Sequence, residues 1–142
     1  MSNALFAYGT LMVPEIWQAV TQLPGPSPSR PGLLRGYQRR RVEGADFPGI
    51  FASGNNDDIV PGCAYEDVAP KTFDLLDRYE DHFYQRLEVN VEVDDGQPAT
   101  LSCQTYIIPE TGLGILSDEP WDLDDFKANA LKRYLEALGI ES

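Results

Sequence analysis

Between Gly32 and Asp67 three strand-like runs follow one another with no space for a helix between them, and this narrows the possible folds more than any other feature of the chain. The runs cover about Leu33 to Val42, Gly49 to Ala52 and Val60 to Asp67, divided by the turn-forming clusters Gly44-Ala45-Asp46 and Asn55-Asn56-Asp57-Asp58. A doubly wound parallel sheet needs a crossover helix between successive strands, so these runs argue against one. Upstream, Ala4 to Tyr8 is continuously apolar and stops at Gly9, which predicts a strand buried on both faces. Pro14 and Glu15 suit a first helical turn, and Ile16, Val20 and Leu23 at i, i+4 and i+7 predict a helix from about Val13 to Gln22. The proline-rich stretch Pro24 to Pro31 then reads as a surface connection.

Downstream, Pro70 opens a second helix that runs to about Tyr79 or Glu80. Leu87, Val89, Val91 and Val93 alternate with Glu88, Asn90 and Glu92 in a half-buried strand, and Asp94-Asp95-Gly96 turns the chain into a strand over Ala99 to Ile108. A closing helix from about Leu123 to Leu138 ends at Gly139. The order predicts an α+β fold, a small mixed β-barrel or strongly curled sheet flanked by a few helices. The 142 residues, 42% hydrophobic and 24% charged, suit a single domain over residues 1–142.

A formal charge of −12 repels a nucleic-acid backbone and an anionic membrane face, so neither is an expected partner. Arg39-Arg40-Arg41 is the local exception: it reads as the solvated face of a strand or as a site for a substrate carboxylate, the former being the default. Cys63 and Cys103 lie far apart within apolar stretches and suit reduced core thiols, which points to the cytoplasm. No basic region with a long apolar stretch opens the sequence, and no apolar run has the length of a membrane span.

Two places carry candidate chemistry. Phe73, Leu76 and Glu80 stand at i, i+3 and i+7, which puts a carboxylate on the apolar face of the second helix. Burial and the negative end of the helix dipole both raise such a carboxyl's pKa toward the range useful for proton transfer. The competing reading ends the helix at Tyr79 and turns Glu80 to solvent beside Asp81. The second place is Tyr8-Gly9-Thr10-Leu11, between a buried strand and a helix, where main-chain N–H groups converge on a bound anion or simply make a tight turn. His82 is the one histidine, so it supports no zinc tetrad of ordinary type and reads as a loop residue. Asp77, Glu80 and Asp81 are too closely grouped to be read as a glycosidase pair.

In order, these segments resemble the gamma-glutamylcyclotransferase-like superfamily, especially the branch with plant avirulence-induced proteins and small bacterial proteins. The resemblance rests on Phe6 to Met12, Gly36-Tyr37, Phe47-Pro48-Gly49, Gly62-Cys63-Ala64-Tyr65, the run Leu76 to Arg86, and Thr105-Tyr106. Its two strongest motifs are about 70 residues apart. Asp81-His82 stands where relatives often have glycine after the glutamate. The resemblance implies a small barrel with flanking helices and a gamma-glutamyl substrate held through the backbone of Tyr8, Gly9, Thr10 and Leu11, with Glu80 moving the proton. It implies that the substrate's α-amine attacks its own γ-carbonyl, releasing 5-oxoproline and an amine, with no cofactor or metal. Tyr84 and Arg86 match the Tyr-x-Arg that follows the glutamate in that branch, and Tyr106 matches an aromatic on a later strand; these three either line the pocket or serve the core and an ion pair. Two rival functions remain, a non-catalytic small-molecule binder on the same scaffold and a hydrolase or lyase using Glu80 on another amide. Because one histidine and two separated cysteines make a poor metal set, 5-oxoproline release is expected to be unchanged in chelator. Activity lost in chelator and restored by a divalent ion contradicts that expectation.

Overall fold

The computed structural model describes residues 2–24, 27–80, 82–94 and 96–139. Gly25 and Pro26 of the proline-rich connection, Asp81, and Asp95 of the expected hairpin turn lie outside the described residues. The apolar opening run forms β1 (Leu5–Ala7), buried at every position. On one side it pairs antiparallel with β5 (Ile59–Tyr65), Leu5 opposite Tyr65 and Ala7 opposite Cys63. On the other it meets β7 (Ala99–Ile107) in parallel, at Leu5 and Gln104. With β2 (Ser29–Arg35) and β6 (Gln85–Val93) the order β1-β5-β2-β6-β7 closes into a barrel. The β6–β7 hairpin is paired from Gln85 opposite Ile107 to Val93 opposite Ala99, and Val89, Val91 and Val93 are buried as their alternation predicts.

A second sheet of three strands, ordered β4-β3-β8, is built from β3 (Tyr37–Val42), β4 (Pro48–Ala52) and β8 (Leu116–Pro120). The expected single run from Leu33 to Val42 is therefore two strands in two sheets. Gly36, at φ +87°, takes the left-handed turn that separates them. The proline-rich connection also ends sooner than expected, since β2 begins at Ser29 and includes Pro31. β6 pairs with β2 only at Gly32 and Leu33, so the flank of Pro31 away from β5 needs no ladder N–H. The 3₁₀ turn at Glu110–Ile115 and β8 have no periodic signal in the sequence.

The helices are α1 (Pro14–Thr21), α2 (Pro70–Tyr79), α3 (Leu123–Asn129) and α4 (Leu131–Ala137). In α1 the buried face is Ile16, Trp17 and Thr21, while Leu23 lies beyond the helix and is exposed. The expected single closing helix breaks at Ala130 (φ −131°, ψ −21°), a buried small residue where the chain bends over the core.

Period-two alternation along β1 divides the core in two. Phe6 and Tyr8 point into the barrel with Leu34, Val60, Val91 and Cys103. Leu5 and Ala7 point outward, where Ile16, Trp17, Phe73, Leu76 and Phe126 cover them. Each aliphatic or phenylalanine side chain fully buried in this way stabilises the fold by about 1.5–3 kcal/mol.

The barrel closes tightly at Gly62, where an added Cβ would stand 2.3 Å from the Ala7 carbonyl oxygen and 2.7 Å from the Phe6 ring. Gly62→Ala must push β1 and β5 apart and is expected to lose about 1–3 kcal/mol, read as a lower denaturant midpoint at unchanged m-value. A midpoint equal to wild type would show that the strands separate freely. A second prediction comes from Tyr8, Tyr65 and Tyr106, whose phenols burial raises above the usual 10.0. A raised folded-state pKa gives stability that is whole below the unfolded value and lost as pH climbs toward the folded one. Melting temperature is therefore expected to fall above about pH 10 through these phenols, and a flat profile to pH 12 contradicts it.

Candidate active site

Glu80 is placed by the end of α2. Phe73 and Leu76 bury one face of the helix against the core, and Arg86 lies over the Phe73 ring with its guanidinium carbon 4.9 Å from the centroid. The helix stops at Tyr79: Glu80 turns extended (φ −73°, ψ 141°), although its N–H still donates to the Leu76 carbonyl at 3.0 Å. The two readings of Glu80 thus each hold in part, because the helix ends before it and its half-buried side chain still lines a pocket. Tyr8, Gly9, Thr10 and Leu11 line the same pocket, brought there by β1 and the 3₁₀ turn Thr10–Met12. Residues about 70 apart in the chain meet across about 480 Å³ of empty space, counted with its open mouth.

Phe47, Pro48, Tyr79, Tyr84, Tyr106 and Tyr134 complete much of the wall. Among the described residues lining it, Glu80 is the one carboxylate, and none is Lys, Arg or His. Burial first, and then in each case the Glu80 charge among smaller causes, pushes the phenols of Tyr8, Tyr79 and Tyr106 above their usual range. Tyr134 adds to the rise at Tyr79 ahead of Glu80, and Asp77 does so at Tyr106. These phenols stay protonated around a carboxylate and act as neutral hydrogen-bonding groups.

The loop is fixed by side chains as well as by backbone. The Thr10 hydroxyl lies 2.8 Å from the Tyr79 hydroxyl, which in turn contacts the Tyr134 hydroxyl from α4. An account of Thr10 through its main chain alone is therefore incomplete. Gly9 packs so close to Pro48 that an added Cβ would lie 2.8 Å from Cγ and 2.9 Å from Cδ of its ring. The Tyr8 hydroxyl donates to the Tyr106 carbonyl at 2.6 Å, and the Tyr65 hydroxyl to the Leu11 carbonyl at 2.9 Å.

Of the three further pocket candidates, Tyr84 and Tyr106 line the cavity and Arg86 does not. The Tyr84 hydroxyl donates to the Pro48 carbonyl and the Tyr106 hydroxyl to Asp77 Oδ1, both at 2.6 Å. Arg86 pairs with Asp77 at 3.1 Å, across the β6–β7 ladder from Tyr106. His82 is exposed, 5.9 Å from the Phe83 ring, and Asp81 is outside the described residues. Neither cysteine is disulfide-bonded, and burial raises both thiols, Cys103 to about 11, so neither favours the thiolate.

The arginine run is not a solvated face. β3 has a neighbour on each side, and all three side chains are half-buried and engaged. Arg39 donates to the carbonyls of Tyr8 at 2.8 Å and of Pro61 and Trp121 at 3.0 Å. Arg40 lies over Phe51, and Arg41 pairs with Glu119 at 2.8 Å. Tyr79 and Tyr134 also line the pocket. Tyr79 adjoins Glu80 within the strongest motif, whereas nothing in the helical pattern distinguishes Tyr134. Among the described residues no group of three or more His, Cys, Asp or Glu is placed to hold a metal, and no helix is long and apolar enough to cross a membrane.

The chain is 27% identical over 140 residues to AIG2-like protein C of Arabidopsis thaliana, spanning 93% of this chain and 77% of that one. A solution structure of an Arabidopsis thaliana protein superposes with a TM-score of 0.71 at 22% identity, over 98% of this chain and 81% of that chain. A yeast gamma-glutamyl cyclotransferase specific to glutathione gives 0.61 at 13% identity, over 84% and 74%. At these identities the superpositions speak for the fold, which is that of a mixed barrel with a second sheet and a few helices. The sequence model described as "Gamma-glutamyl cyclotransferase, AIG2-like" matches residues 5–123, and the chain belongs to that family.

Proposed function

We propose that this protein is a cyclotransferase that cleaves a gamma-glutamyl amine or peptide to 5-oxoproline and the free amine, with Glu80 as acid and base. One observation carries the reading: Glu80 and the Tyr8–Leu11 loop line one pocket among tyrosines held neutral by burial. Membership of the family supports it. In this mechanism the Glu80 carboxylate attracts the substrate's α-ammonium and takes one proton from it. The freed amine attacks the γ-carbonyl carbon from about 3–3.5 Å, closing a five-membered ring. Main-chain N–H groups of the loop stabilise the oxyanion as it forms. When the tetrahedral carbon collapses, the Glu80 carboxyl gives its proton to the leaving nitrogen and the bond to that nitrogen breaks; the carboxylate so restored takes the surplus proton from the ring nitrogen, leaving the lactam N–H of 5-oxoproline, and passes it to the departing amine. No protein nucleophile is consumed, in keeping with two thiols held in the protonated form.

The test is a panel of gamma-glutamyl compounds assayed for 5-oxoproline release, with Glu80→Gln as the comparison. The amide keeps the shape and cannot take the proton, so kcat is expected to fall about 100-fold or more while the melting temperature stays near wild type. A folded Glu80→Gln enzyme with wild-type turnover removes Glu80 from the chemistry. Tight 5-oxoproline binding with no turnover on any member of the panel favours the non-catalytic binder instead.

A further inference from the structure

Arg39 reaches the pocket loop from outside the lining of the pocket. It lines a separate hollow with Met12, Pro61, Gly62 and Asp122, and it is absent from the lining of the pocket that holds Glu80. Its guanidinium gathers three carbonyls from three parts of the chain: Tyr8 at the end of β1, Pro61 in β5, and Trp121 just before α3. The guanidinium carbon also lies 5.2 Å from the centroid of the Trp121 ring, which restricts it further. A charge-assisted fork of this kind holds its acceptors in fixed directions, as a single ammonium on a flexible stem does not.

The Tyr8 carbonyl is the informative acceptor. The described chain has no cis peptide bond, and in a planar trans peptide the C=O and the following N–H point in opposite directions. With the Tyr8 oxygen drawn toward Arg39, which is not among the residues lining the pocket, the Gly9 N–H is turned away from Arg39, and Gly9 itself lines the pocket. No backbone acceptor within the described residues takes up that N–H. A cation on the oxygen of an amide polarises the group and makes its N–H a stronger donor.

We propose that Arg39 is a positioning residue, which sets the plane of the Tyr8–Gly9 peptide so that the Gly9 N–H is a fixed donor to the substrate's carbonyl oxygen or carboxylate. This rests on the cyclotransferase reading of the same pocket. It explains why a half-buried arginine is kept on the inner part of a strand whose neighbours Arg40 and Arg41 are used for ring packing and an ion pair. Arg39 touches no substrate in this arrangement, and acts through the main chain.

The experiment follows the Gly9 amide by ¹⁵N–¹H NMR while wild-type protein is titrated with 5-oxoproline, alongside the kinetics of Arg39→Lys and Arg39→Gln. In wild type the Gly9 amide is expected to shift on binding; an unresponsive Gly9 amide in a protein that binds 5-oxoproline, or no binding of it at all, overturns the proposal. Arg39→Gln is expected to lose about 10-fold or more in kcat/KM and to weaken the Gly9 response, with Arg39→Lys in between because it keeps the charge without the fork. Arg39→Lys reads the effect should Arg39→Gln fail to fold. A brace with no part in positioning would lower the folded fraction and leave both KM and the Gly9 response of the folded protein unchanged, and that result also overturns it. 5-Oxoproline release separates the two failures: if wild type releases none from any gamma-glutamyl compound the cyclisation reading falls, and if wild type turns over and Glu80→Gln does not while the Arg39 variants behave as wild type only the role of Arg39 falls.

Discussion

The pairing of β1 with its two neighbours is the constraint on which the molecule depends. A strand of only three residues closes the barrel, antiparallel to β5 and parallel to β7. Bonds on both sides hold it: Gln104 N–H donates to the Ala4 carbonyl at 2.8 Å, the Thr105 hydroxyl to the Phe6 carbonyl at 2.9 Å, and Val68 N–H to the Asn3 carbonyl at 2.7 Å. Because Ala4 and Phe6 are buried, their carbonyls lack water as an alternative partner, and leaving one unpaired costs about 1–3 kcal/mol. The alternation along β1 then decides which side chains fill the barrel and which receive the helices. Its end decides where the pocket loop begins.

The second sheet supports the loop from behind and from one side. β3 sends Arg39 to the Tyr8 carbonyl, and Phe47 with Pro48, at the start of β4, makes a wall against which Gly9 packs. Tyr84 fastens that wall through the Pro48 carbonyl. The carbonyl of Ile50 accepts from Ile108 N–H at 2.8 Å, so the sheet is tied to the end of β7 that carries Tyr106. Pocket shape therefore depends on both sheets, and on α4 through the contact of Tyr134 with Tyr79.

The electrostatics of the site are simple. One carboxylate faces a ring of phenols that burial keeps protonated, and the nearby cations Arg39 and Arg86 are committed to carbonyls and to Asp77 outside the pocket lining. Water-poor surroundings strengthen the attraction between such a carboxylate and an ammonium ion relative to bulk water. They also keep the tyrosines as donors and spacers rather than charges. A site of this kind suits proton transfer in which both partners start charged and end neutral.

Much of this was legible in the chain itself. Alternation in β6, the unbroken apolar run of β1, the prolines that open α1 and α2, and the spacing of turn clusters are local signals with local causes, and they gave the class and most elements. The two motifs around Tyr8 and Glu80 were legible as the ends of their elements, and the structure brings both to one pocket. The sequence alone could not say that residues 33–42 belong to two sheets, since a left-handed glycine turn looks like any glycine inside a strand pattern. Nor could it separate Arg39 from Arg40 and Arg41, assign Tyr106 to the pocket and Arg86 to Asp77, or find Tyr134, because each of those outcomes depends on which residues from distant segments arrive beside it. Periodicity determines which face of an element is buried; only the closing of the barrel and the docking of the second sheet and α4 decide what that face meets.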